Sequence, residues 1–282
     1  MKARKRIVAL VLSLALLVTL MPQAAVQAAT KTQSETLLVG EVVEYSPILG
    51  TIKSVSTSKK TVATVKKKNG KAVVTAKKAG SAVITIKSTR GTNKVKLTIK
   101  KADISCNLKL LPDGYVLVSV KNNTSIFMDY ATVAYTLKNP EGEVIEQKTC
   151  TVSDLIPKKT AYTKVYYNNY NFTVSLENSS AKVESHSRSL SAKYKSRVSA
   201  TKVTVTEEDT ASQKLSFKVQ NTYSGSISGT IDFLFYDENG NITYHTYRSI
   251  FLKGKEVTSN SVSTPAEYAS YKTVIRTYSK TY

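Results

Sequence analysis

Tryptophan is absent from this 282-residue chain, and histidine and cysteine occur only twice each. His186 and His245 stand far apart, and no His or Cys pair has metal-ligand spacing, so no metal is expected. A nucleophile elbow, a zinc-protease helix motif, a phosphate-binding glycine loop and a dinucleotide fingerprint are all missing. These absences remove the catalytic classes that short motifs reveal, and the chain is expected to be no enzyme and to need no cofactor. Glu207, Glu208 and Asp209 form an acidic run able to hold calcium, but they read more simply as a solvated strand end or loop. Acidic residues are scarce: 20 Asp and Glu stand against 41 Lys and Arg, for a net charge of +21. After the first residues no amphipathic helical period appears either.

What is present begins with a basic start (Lys2, Arg4, Lys5, Arg6) and an apolar run from Ile7 to Leu20. Pro22 and the small residues Val26, Ala28 and Ala29 follow, the pattern of a secretory leader over 1–29 cleaved after Ala28 or Ala29. The run is short of the roughly 20 residues a spanning helix needs. No lipoprotein cysteine sits at the cleavage site, and the ending TVIRTYSKTY has neither an apolar tail nor a sorting motif. The mature protein is expected to be secreted, without a membrane span, and free or held non-covalently at a cell surface.

Charge is uneven along the remainder. Residues 30–101 hold 16 Lys and Arg against Glu35, Glu41 and Glu44, net +13, whereas residues 102–282 hold 21 against 17, net +4. A local field of that size attracts polyanions and is screened by salt. In an exported chain Cys106 and Cys150 suggest an intradomain disulfide, with two buried free thiols as the alternative. Their parity in alternating runs points both sulfurs toward a core.

Alternation of period two dominates. In Lys94 to Lys100, Val95, Leu97 and Ile99 share one face while the lysines and Thr98 take the other, a half-buried strand. Asn69-Gly70, Ala79-Gly80, Glu141-Gly142 and Asn239-Gly240 supply turns. Short strands between such turns predict an all-β chain of sandwiches rather than an α/β enzyme core. The first contains LLVGEVVEYSP, then SVSTSKKTVATVKKKNGKAVVTAKKAGSAVITIK, then KVKLTIK. That pattern resembles the bacterial immunoglobulin-like group 2 family, although Val55 stands where many members carry tryptophan. The resemblance implies a sandwich of secreted and surface proteins, some of them adhesive, and no catalytic residues.

The rest contains a diverged repeat. Val120–Ile145 aligns with Val219–Ile242, matching Thr132 with Thr230, Val133 with Ile231, Tyr135 with Phe233, Leu137 with Phe235 and Gly142 with Gly240. DLIPKKTAYTKV corresponds to IFLKGKEVTSNSV further on. FLFYDENGNI resembles the FxLYD family of small extracellular sandwiches; AYTLKNPEGEVI departs from it, with Lys138 and Asn139 in place of the Tyr-Asp pair. The two resemblances and the repeat together imply three consecutive immunoglobulin-like antiparallel β-sandwich domains, at 30–101, 102–190 and 201–282, with a linker at 191–200.

Two candidate surfaces emerge. Lys59, Lys60, Lys66, Lys67, Lys68, Lys71, Lys77 and Lys78 crowd strand ends and turns of the first domain. They form either a face for an anionic cell-wall polymer or acidic polysaccharide, or merely a solvated face. Nucleic acid is not expected, since export removes the chain from it and no recognition motif is present. The tyrosines, dense at Tyr162, Tyr166, Tyr167 and Tyr170, could stack on sugars or serve as strand residues. The functional expectation is a non-catalytic surface-associated binding, adhesion or spacer protein, with a second protein or glycan partner on the later domains. Its rival is a carbohydrate-binding accessory of a secreted glycan-degrading system.

Overall fold

The structure, a computed structural model, describes residues 29–167, 173–188 and 193–281. The expected leader falls outside the described residues except for Ala29, and Tyr170 falls outside them too. Among the described residues every regular element is a strand except one 3-10 turn at Val198–Ala200, and the chain forms two compact units that divide after Lys101. None of the described helical structure is long and apolar enough to cross a membrane.

The first unit contains β1 (Ala29–Leu38), β2 (Val42–Tyr45), β3 (Ile52–Thr57), β4 (Ala63–Lys68), β5 (Lys71–Ala76), β6 (Gly80–Ser88) and β7 (Gly91–Lys100). Sheet β1-β7-β6-β3 faces sheet β2-β5-β4. The Asn69-Gly70 turn joins β4 to β5 with both residues at positive φ, 49° and 72°, as a tight hairpin requires. One pairing departs from the antiparallel expectation: β1 runs parallel to β7. After Leu38 the chain crosses into the other sheet through Gly40, whose N–H donates to Ala76, so the first strand lies beside the last. Leu37, Leu38, Ile84, Ile86, Val95, Leu97 and Ile99 meet Val43, Ala72 and Val74 in the core. Each large side chain so buried contributes about 1.5–3 kcal/mol relative to exposure. Val55, at the position of the missing tryptophan, is half-buried and pairs with Ile86.

The second unit holds two sandwiches of the same plan. The earlier one contains β8 (Ile104–Leu110), β9 (Tyr115–Asn122), β10 (Met128–Lys138), β11 (Val144–Leu155), β12 (Thr160–Tyr166) and β13 (Ser175–Ser187). Its sheets are β12-β9-β8 and β11-β10-β13. The later one contains β14 (Lys193–Ser196), β15 (Thr201–Asp209), β16 (Lys214–Asn221), β17 (Ile227–Tyr236), β18 (Ile242–Leu252), β19 (Val257–Ser263) and β20 (Ser270–Thr281). Its sheets, β19-β16-β15 and β18-β17-β20, repeat the earlier order strand for strand, with β14 added beside β20. Val133, Tyr135 and Leu137 enter one core where Ile231, Phe233 and Phe235 enter the other, as the alignment requires.

A buried asparagine marks the repeat more sharply. Asn122 Nδ2 donates to the carbonyls of Ile126 and Leu155, each at 2.8 Å, and its Oδ1 accepts from Thr124 N–H. Asn221 Nδ2 donates to Gly225 and Lys253 at 2.9 and 2.7 Å, and its Oδ1 accepts from Tyr223 N–H. Both side chains are fully buried, where unpaired polar atoms would be costly. The strand-ending turns agree too. Gly142 N–H donates to Asn139, and Gly240 N–H to Asp237, in matching loops.

Two expectations are corrected. The segment read as a linker at 191–200 instead contributes β14, paired with the terminal strand from Lys193↔Thr281 to Ser196↔Tyr278, and the 3-10 turn. Apolar packing holds it, because Tyr194 stacks on Phe127 of the earlier sandwich at 4.0 Å. The suggested disulfide is not formed: Cys106 and Cys150 are free thiols. Cys106 lies on β8, and its sulfur accepts from the Val183 N–H of β13. Cys150 lies on β11, at the far edge of a sheet in which β10 separates it from β13. The Val183 contact holds Cys106 at the β13 edge, two strands across that sheet from Cys150. Burial, and secondarily Cys106, pushes the Cys150 thiol up to about 11.

Candidate functional site

All eight lysines singled out in the sequence are exposed. The structure gathers them into two neighbouring groups. The Lys59–Lys60 turn and the Lys77–Lys78 turn meet at Val62, whose N–H donates to Lys59 and whose carbonyl accepts from the N–H groups of Lys77 and Lys78. On β4, Lys66 and Lys68 share the outward face with Thr64, and Val73 and Thr75 of β5 stand opposite. Residues two apart on a strand are about 7 Å apart, so Lys66 and Lys68 rise side by side from this face. Thr64, Lys66, Lys67, Lys68, Val73 and Lys77 line a shallow concavity of about 440 Å³. Lys67 shares the inward parity of buried Ala72, but its stem bends around the edge and Nζ donates to the Ile52 carbonyl at 2.6 Å.

The three carboxylates of the module are all committed locally. Glu35 accepts from the Tyr45 hydroxyl, Glu41 accepts from Leu38 N–H at 2.8 Å, and Glu44 pairs with Lys71 at 2.7 Å. Lys68 faces Lys71 across the hairpin, and Glu44 offsets one of those two like charges. An exposed pair of this kind is worth at most about 1 kcal/mol and leaves the field of the face positive.

The opposite sheet carries charge beyond those eight lysines. Lys94, Lys96 and Lys100 project outward from β7, and Lys87 does so from β6, among Thr85, Thr98 and Ser81. The alternation in Lys94–Lys100 holds this charge signal together with the strand signature. Both outer faces of the first sandwich are therefore basic.

The tyrosine cluster is dispersed. Tyr162 is partly buried against Leu111, Leu117 and Leu234, between the two sandwiches of the second unit. Tyr167 packs on the core of the earlier sandwich, and the exposed Tyr166 rests against Tyr115 with ring centroids 5.4 Å apart. The run does not make a continuous stacking platform, because the earlier core and the sandwich contact take up two of its rings.

Of the histidines, His186 lies on β13, while His245 on β18 belongs to a buried network that sequence spacing does not show. Arg276 binds Asp232 in bidentate fashion, Nε to Oδ2 at 2.7 Å and Nη2 to Oδ1 at 3.2 Å. His245 Nε2 lies 3.1 Å from Asp232 Oδ1. An ionised carboxylate only accepts, so that nitrogen carries the proton. The remaining guanidinium nitrogen, Nη1, reaches the earlier sandwich and donates to the Ser153 carbonyl at 2.8 Å. The network thus ties the sandwiches together. Glu208, in the acidic run, accepts from the Tyr268 hydroxyl, and Asp209 accepts from Ser212 N–H at 3.1 Å, both on the strand end that the sequence suggests. No group of three potential metal ligands occurs among the described residues.

No protein-family model matches the chain, and no curated protein matches it.

Proposed function

We propose that this is an exported, non-catalytic binding protein whose first module attaches to an anionic cell-surface polymer, either a phosphodiester wall polymer or an acidic polysaccharide. The observation that carries this reading is that all three carboxylates of the module are engaged locally. Among its many exposed lysines, Lys71 alone has a carboxylate partner among the described residues. Counterions on a polymer of regular negative charge would be released on contact with such lysines. The resemblance of residues 30–101 to bacterial immunoglobulin-like group 2 domains, and of the later sandwiches to FxLYD domains, supports a surface role. The Asp232–His245–Arg276 network resembles an acid-base pair in composition, but its burial and its reach across two sandwiches favour a structural role.

The test is sedimentation of leaderless protein with purified cell walls over a salt titration, with and without residues 30–101. Retention at low salt, release near physiological to moderate salt, and loss on deletion are expected, because exposed charges are screened over about 8–10 Å at these ionic strengths. Retention that survives deletion would refute attachment through this module.

A further inference from the structure

The cleft between the two sandwiches of the second unit has the chemistry of a saccharide subsite. It encloses about 300 Å³, at the small end of the ~300–1,000 Å³ range of ligand sites. The earlier sandwich contributes Thr151, Ser153 and Thr163, and the later one Thr230, Ser249 and Tyr247. Five of these six are short hydroxyl side chains, and no hydrogen bond of those hydroxyls to protein is found among the described residues. Arg276 and Asp154 also border the space, but their charges have other uses. The Arg276 guanidinium is held by Asp232 and by the carbonyls of Ser153 and Asp154. Asp154 accepts from the Tyr278 hydroxyl, and burial raises its carboxyl above the ordinary range. Neither is left to select a charged ligand.

Aromatic surface continues from this pocket. Tyr247 is 59% exposed and Phe251 65% exposed, unusually open for large rings. They flank Ser249 on one face of β18, and four residues along a strand is roughly 13 Å. The inner side of Tyr247 lies against the His245 ring, with centroids 6.2 Å apart and planes at 23°. His245 is in turn fixed by Asp232 and Arg276, so the buried network orients an exposed ring before any ligand arrives. Rings that present an open apolar face beside unspent hydroxyls match the two sides of a pyranose, whose C–H face stacks while its hydroxyls hydrogen-bond.

We infer that Tyr247, Phe251 and the hydroxyl-lined cleft between the two later sandwiches bind an extended neutral polysaccharide chain. This site is independent of the lysines of the first module and is insensitive to the salt that releases them.

The test is depletion of leaderless full-length protein from solution by microcrystalline cellulose, chitin, curdlan or raw starch in 0.5 M NaCl. Depletion by at least one of these is expected. Tyr247→Ala and Phe251→Ala, both surface changes, should each weaken it about tenfold with an unchanged unfolding midpoint, and Ser249→Ala should weaken it less. A variant with Lys66, Lys68, Lys94 and Lys96 changed to Gln should bind these solids as the parent does while losing cell-wall retention at low salt. Failure of all four solids to deplete the parent protein, or undiminished depletion of the Tyr247→Ala/Phe251→Ala double variant, would overturn the inference. So would loss of neutral-glycan binding in the lysine variant alone.

Discussion

Strands β10 and β17 are the same strand in two copies of one fold, yet they are buried differently. In β10 the alternation is clean: Val133, Tyr135 and Leu137 are buried while Thr132, Ala134 and Thr136 are partly open. In β17 every residue from Gly229 to Phe235 is buried. The inward halves correspond, and the outward halves have diverged. Thr230, Asp232 and Leu234 lie under the neighbouring sandwich, with Leu234 against Leu117 and Asp232 within the Arg276 network. Leu117 on β9 likewise corresponds to Ser216 on β16, which is not packed into such a contact. A β-sandwich repeat conserves the faces that build its own core, while docking is decided on the other faces. Gly229 answers a different constraint, within its own sheet: a Cβ there would lie 2.0 Å from the Arg276 carbonyl of the paired strand β20, at a φ of 147° that other residues rarely adopt.

The largest effect that tests this contrast comes from Arg276. Arg276→Met leaves Asp232 buried without its cation, and chemical denaturation should show the second unit losing about 3–5 kcal/mol. The transition of residues 30–101 should not move. A loss below about 1 kcal/mol would mean that the apolar contact alone carries the docking.

Next come the paired asparagines. Asn122→Ala and Asn221→Ala each take the side-chain donor from two backbone carbonyls, and equilibrium unfolding should show a similar loss of about 2–3 kcal/mol for each. Markedly unequal losses would break the equivalence of the copies.

A smaller effect concerns pH. Burial raises the folded-state pKa of Asp154, with partial opposition from the Tyr278 hydroxyl and Arg276. Folding therefore favours the protonated form more than the unfolded chain does. Its contribution is full below the ordinary carboxylate pKa of about 4 and is lost as pH rises through the higher folded value. Comparing unfolding midpoints of the parent and Asp154→Asn at pH 4 and pH 7 should show the substitution relatively more favourable at pH 7. The reverse order would show that Tyr278 and Arg276 outweigh burial.

The smallest effect lies in the first module. Changing Lys66 and Lys68 to Gln should alter its stability by no more than about 0.5 kcal/mol, measured by thermal unfolding, because both are solvated. A larger stabilisation would mean that self-repulsion on this face is stronger than surface exposure suggests.

Legibility in the sequence follows solvation. Val95, Leu97 and Ile99 against Lys94, Lys96 and Lys100 reveal a strand, its inner face and its charge together, because one side is wet and the other dry. The lysine turns are equally readable, since Asn69-Gly70 dictates a hairpin and brings Lys68 opposite Lys71. Phe233-Leu234-Phe235 is an unbroken apolar run in an otherwise alternating strand, and it is the one local sign that β17 is covered on both sides. Tyr247, Ser249 and Phe251 look like ordinary strand residues until β18 is placed beside the earlier sandwich. Cys106 and Cys150 share an inward parity that suggests a bridge, but parity does not say how many strands stand between them.

The amino-acid sequence by itself determined the all-β class, the hairpin turns, the internal repeat and the concentration of positive charge in residues 30–101. Those properties depend on neighbours a few residues away or on simple sums. Tertiary structure alone decided that β14 is a strand rather than part of a linker, that Arg276 crosses between sandwiches, and that a hydroxyl-lined cleft opens beside Tyr247. These depend on which outward faces meet. A period-two pattern records that a face is buried or open, but it carries no information about the partner that buries it.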